Sequence, residues 1–187
     1  MKKIILLAIL VMLVISLAGC AEKEAEIPKY AKPSETIQET TTVSEQQLEL
    51  LKTVTHAEVW VYGRNWDEDA ENDGIALYIR LLDEKDEIVK FRDVNLPVEI
   101  EMYTLKYDNG KPIREGLMYK GNATMTSWKD GSLGGSGIRI PFEDINFADV
   151  TKAKEGIRYE VFVKVQLPDG RVVEAKKTGN TKWWFYG

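Results

Sequence analysis

One cysteine (Cys20) and one histidine (His56) among 187 residues leave little for metal or nucleophile chemistry. No second thiol exists for a disulfide within the chain, so an exported fold must stand on its core alone. Zinc and blue-copper sites lack their ligand sets, and His56 reads as an ordinary polar residue at the start of a strand. No serine sits in a Gly-x-Ser-x-Gly elbow. The stretch Gly134-Gly135-Ser136-Gly137 lacks the Lys-Ser/Thr of a phosphate loop and no helical pattern follows it, so it reads as a plain loop. Positive charge is in deficit: 30 Asp and Glu face 25 Lys and Arg, a formal charge of −5. That balance argues against nucleic acid and against general adhesion to anionic lipid. After residue 18 no apolar run approaches the roughly 20 residues of a membrane-spanning helix. Carboxylates are abundant, but nothing singles out two of them as an acid–base pair. With no catalytic constellation, a carboxylate-dependent hydrolase is the weakest functional reading.

What is present begins at the N-terminus. Met1-Lys2-Lys3 precedes an uncharged apolar run from Ile4 to Ala18. This is the charged-then-apolar order of a secretory signal peptide. The run is apolar on all sides, without the stripe of an amphipathic helix. Leu17-Ala18-Gly19-Cys20 resembles the lipobox of prokaryotic lipoproteins. The resemblance covers the first 20 residues or so. It implies a diacylglyceryl group on the Cys20 thiol, cleavage just before that residue, and 1–19 as a lipoprotein signal peptide. Two acyl chains hold a protein stably, since each buried methylene contributes about 0.8 kcal/mol. The implied partner is therefore a membrane, reached through the lipid on Cys20 from the extracytoplasmic side. Loss of Lys2 and Lys3 with the leader takes the charge to about −7.

Residues 20–44 read as a disordered linker. They contain Glu22-Lys23-Glu24-Ala25-Glu26, Pro28, Pro33 and Thr40-Thr41-Thr42, with few large apolar residues. A flexible chain of that length spans about 25–30 Å. The domain proper is 45–187. Ser44-Glu45-Gln46-Gln47 resembles a helix capping box. A short helix at 45–52 and a lead-in to the first strand both remain open.

From Val54 the apolar period is two. Ala57, Val59 and Val61 alternate with Glu58, Trp60 and Tyr62; Ile75, Leu77, Ile79 and Leu81 form a second set. Asp83-Glu84-Lys85-Asp86 is a turn, after which Ile88 to Phe91 is expected to resume as strand. Val98, Ile100 and Met102 alternate up to the hairpin loop Asp108-Asn109-Gly110-Lys111-Pro112. Leu117 to Tyr119 and Ala123 to Trp128 read as strand pieces, and Ile138 to Pro141 as a short edge strand. Tyr159 to Val165 and Val172 to Ala175 flank an Asp169-Gly170 turn, a specific hairpin signal. Seven to nine short strands predict an all-β fold, a single antiparallel β-sandwich of immunoglobulin-like or fibronectin-like type. The Cys…Trp…Cys spacing of true immunoglobulin domains is absent.

Three features could carry function. The loop from Asp67 to Gly74 concentrates hard oxygen ligands, and Asp67, Asp69, Asn72 and Asp73 are candidate calcium ligands. It is not an EF-hand, and a solvated acidic turn is the alternative. The run Trp183-Trp184-Phe185-Tyr186 offers Trp183, Trp184 and Tyr186 for stacking on a sugar or filling a partner's pocket; the alternative is a final strand whose rings cap the core. Asn122-Ala123-Thr124 fits the N-glycosylation pattern at Asn122. The expected function is that of a membrane-anchored extracytoplasmic lipoprotein carrying a binding module for a protein, a glycan or a solute. The other non-enzymatic reading is a structural envelope component.

Overall fold

The computed structural model describes residues 43–67, 69–133, 135 and 137–186. The expected signal peptide (1–19), Cys20 and nearly all of the expected linker (20–44) lie outside the described residues. Strand β1 (His56–Arg64) pairs antiparallel along its whole length with β2 (Gly74–Leu82). The short β5 (Ile138–Pro141) adds to the other side of β2, giving a three-stranded sheet of order β1-β2-β5. Its proline closes the strand at the sheet edge, where no ladder donor is needed. The second sheet has order β4-β3-β6-β7, from β3 (Arg92–Asp108), β4 (Lys111–Ser127), β6 (Arg158–Gln166) and β7 (Val172–Asn180). All pairings are antiparallel.

Both sheets are open, and their alternating apolar residues meet in one hydrophobic core. Val59, Ile75, Leu77, Ile79 and Ile140 come from the first sheet, and Leu96, Val98, Ile100, Met102, Val161, Val163 and Val165 from the second. The sets in β2, β3 and β6 are buried, while in β1 Val59 is buried and Ala57 and Val61 are partly buried against the core. Strand β2 is buried on its outer side as well, at Ala76 and Tyr78.

Several expectations are corrected. Ile88 to Phe91 does not resume as a strand; Ile88 makes only an isolated bridge to Leu82. The Asp83 carboxylate accepts the amide protons of Lys85 and Glu87, and Asp86 takes φ of +61°, so the turn runs longer than its polar letters. The chain then crosses between the sheets, burying Val89 and Phe91 on the way. The separate pieces around 117–119 and 123–128 belong to one 17-residue strand, β4, which pairs with an equally long β3. Register shifts at Met102/Tyr103 and Thr104/Leu105 hide this in sequence, because each bulge interrupts the period of two. The hairpin between them is a two-residue turn with Asn109 at φ +50° and Gly110 at +79°, the left-handed pair such turns require.

The helix at the front of the domain is α1 (Glu45–Lys52). Ser44 caps it by accepting the Gln47 amide proton. The reciprocal arm of a capping box is missing: the Gln47 side chain instead accepts from the Arg92 amide at 2.9 Å, tying α1 to the start of β3. Leu51 and Val54 enter the core. After β5 come a short 3-10 turn (Phe142–Asp144), helix α2 (Val150–Gly156) and the β6–β7 hairpin.

The expected final strand is absent. Strand β7 stops at Asn180 and is followed by the four-residue helix α3 (Lys182–Phe185). Thr181, fully buried, forces the turn. Its hydroxyl donates to the Ala153 carbonyl at 2.7 Å and accepts from the Ile157 amide at 2.8 Å.

Candidate functional site

Alternation in an extended strand would have put Trp183 and Phe185 on one side and Trp184 and Tyr186 on the other. A helix turns each residue by about 100° instead. Trp184 is 1% exposed and Trp183 is 73% exposed. Trp184 packs on Tyr159 with ring centroids 4.4 Å apart and on Phe147 at 6.4 Å. Phe185 stacks on Phe142 at 4.6 Å and tilts against Phe147 at 5.6 Å. These five rings close one end of the core, and burial pushes the Tyr159 hydroxyl pKa up. Of the three candidate ligand-binding aromatics, Trp184 is therefore a core residue, unable to reach a ligand.

Trp183 and Tyr186 stay outside, the latter 59% exposed. Between α2 and α3 lies a shallow, open concavity of about 800 Å³, lined by Val150, Thr151, Lys154, Glu155, Lys182 and Tyr186. Val150 is half exposed. The result is a depression of mixed polar and apolar lining beside the aromatic end of the core.

The loop after β1 reaches the same corner. The Asn72 amide donates to the Trp184 carbonyl oxygen at 2.6 Å. Gly63 makes room for that contact, since a Cβ there would lie 2.2 Å from the same oxygen. The two stretches singled out in sequence thus meet in space. Among the described residues the acidic side chains of this loop are not grouped around a common point. Asp67 accepts the Asp69 amide proton at 3.1 Å, and Asp69 accepts that of Glu71 at 2.7 Å. Asp73 accepts the Trp66 amide proton, and Asn72 is committed to α3. The three aspartates fold back on backbone of their own loop, as Asx residues do in turns. Among the described residues, no three His, Cys, Asp or Glu side chains are grouped to hold a metal. Asp67, Asp69, Asn72 and Asp73 act here as loop fasteners.

His56 lies elsewhere, its ring nitrogens 2.9 Å from the Thr55 hydroxyl and 3.1 Å from an Asp86 carboxylate oxygen. Asn122 is exposed on β4, opposite Glu99 of β3. Neither joins the corner. Phe142 and Phe147, which carry the aromatic base, went unremarked in sequence because no local pattern links them to residue 185.

No protein-family model, curated protein or solved structure matches this chain.

Proposed function

We propose that this chain is an extracytoplasmic lipoprotein, held at a membrane by a diacylglyceryl group on Cys20, whose folded domain is a β-sandwich that docks a partner protein. The sandwich reading draws support from the split into sheets of three and four strands. The connections β2 to β3, β4 to β5 and β5 to β6 each pass from one sheet to the other, as in the Greek keys of fibronectin-like domains. The anchor reading rests on the charged leader, the apolar run and the lipobox-like Leu17-Ala18-Gly19-Cys20.

One observation carries the docking role. Trp183 stands 73% exposed while its neighbour Trp184 is locked into the core. An exposed indole forgoes the favourable burial that its neighbour obtains. Exposed Trp and Tyr, here Trp183 and the Tyr186 that lines the depression, are among the side chains that most often anchor protein–protein contacts. A protein suits this corner better than a small solute, because the depression is open and only partly apolar.

The test is photo-crosslinking on intact membranes, with a photoreactive phenylalanine analogue replacing Trp183 in the full chain. A discrete protein adduct, weakened by Tyr186→Ala and absent from the same probe at Lys111, is expected. Indistinguishable labelling from positions 183 and 111 would contradict the proposal.

A further inference from the structure

The outer face of the three-stranded sheet differs from the rest of this acidic chain. Strand alternation places Trp60, Tyr62 and Arg64 of β1 on that side. The register sets Trp60 opposite Tyr78, Tyr62 opposite Ala76, and Ala76 opposite Arg139 of β5. Arg80 follows Tyr78 on β2, and Trp66 lies just past β1. Each arginine lies against a ring. The guanidinium carbon of Arg80 is 4.3 Å from the Trp60 centroid, and that of Arg139 is 5.4 Å from Trp66. Arg64 sits 5.6 Å from Tyr78 and 5.9 Å from Tyr62, and its Nε donates to the Tyr78 hydroxyl at 3.1 Å.

Among the described residues these three charges have no ion-pair partner. Arg114 is paired with Glu160 and Arg171 with Asp169, while Arg92 and Arg158 stand singly elsewhere; only this face gathers three arginines without an ion pair among the described residues. Among the described residues, no carboxylate comes within 4.0 Å of Arg64, Arg80 or Arg139. Glu58 stands opposite Arg80 across the strands without closing that distance. The Arg80 Nε is buried with no hydrogen-bond partner. Three uncompensated guanidiniums on one small sheet, in a chain of net charge −5, form a local anion-seeking surface. Arg64 and Arg139 are exposed, and a guanidinium's terminal N–H groups can pair with a carboxylate.

We infer that this face binds an acidic polysaccharide, its carboxylates on Arg64, Arg80 and Arg139 and its sugar rings against Trp60 and Tyr62. Trp60, Tyr62 and Arg64 recur at every second residue, about 7 Å apart along β1. An extended polymer of repeating acid sugars can meet such a row in succession, whereas a single small anion would use one arginine. All three cations are arginine, the side chain that matches a planar carboxylate. The choice of a polysaccharide over other polyanions rests on the exported location proposed above. Anion binding by the face rests on neither the anchor nor the C-terminal corner.

Binding of the purified full chain to polygalacturonate tests this, with neutral dextran and poly-L-glutamate as comparison polymers. The expected result is saturable binding of polygalacturonate, with both comparison polymers weaker by about tenfold or more. Arg64→Gln combined with Arg139→Gln, both at exposed sites, should lower the affinity by about tenfold or more. The corresponding pair of lysine substitutions, which keep the charge, should recover little of it. Absence of binding, equal binding of poly-L-glutamate, or wild-type affinity in either arginine double variant would overturn the inference. Because the measurement is made in solution, failure of the membrane anchor would leave its result unaffected.

Discussion

The Asn72 side chain and the Trp184 carbonyl meet in a hydrogen bond of 2.6 Å that spans 112 positions of sequence. Its removal in Asn72→Ala leaves a carbonyl at the base of α3 without that donor. The expected cost is about 1–2 kcal/mol, seen as a lower Tm. Neighbouring tryptophans should respond in opposite ways. Trp184→Ala empties a core site and should cost about 3–5 kcal/mol. Trp183→Ala removes an exposed ring and should change stability by no more than about 0.5 kcal/mol. Urea unfolding of the two variants separates folding from docking at this corner; equal losses would contradict the division of roles. Gly63→Ala should behave like a core defect, because its new methyl meets the Trp184 carbonyl. The acidic loop gives the opposite expectation for calcium. Asp67, Asp69 and Asp73 already accept backbone amide protons, so excess calcium against chelator should leave Tm unchanged. A clear upward shift would mean the loop opens to bind the ion.

Helix α1 shows how an element is held. The Arg171 guanidinium, on the β6–β7 turn, donates to the carbonyls of Leu51, Lys52 and Val54 at 3.2, 3.0 and 2.7 Å. It thereby serves the carbonyls that a helix end leaves unpaired. Asp169 orients it, accepting from its Nε at 2.7 Å and from its amide at 3.0 Å. Arg171→Ala should loosen α1 by about 2 kcal/mol, read as faster amide hydrogen exchange across 45–54 with the strands still protected. Unchanged exchange would contradict the clamp. The Arg171 amide proton, and then its guanidinium, hold the Asp169 carboxyl below the usual carboxylate range. A lowered folded-state pKa contributes stability above the unfolded value of about 4. That contribution is lost as pH falls through the folded value. Acid should therefore loosen α1, and Asp169→Asn should remove that part of the pH dependence.

At the scale of the whole molecule, the alternating runs in β1, β2 and β6 and the Asp169-Gly170 turn were legible because side-chain period and turn chemistry are local. The all-β class and both hairpin turns followed from them. The length of β3 and β4 was hidden by bulges, and the sense of α3 by Thr181, whose partners Ala153 and Ile157 lie more than 20 residues away. The candidate corner was legible only as two unrelated stretches, since nothing local couples Asn72 to Trp184. The arginine face arises from cross-strand register, which sets Ala76 between Tyr62 and Arg139 and which no single stretch encodes. What unites these surfaces in the proposed account is the anchor. The most direct test is fractionation of cells making the full chain or its Cys20→Ser variant. The parent protein is expected in the membrane fraction, accessible to protease from outside, and the variant in the soluble exported fraction with an unchanged Tm. A serine variant that still sediments with membranes would contradict the claim that Cys20 holds this domain there.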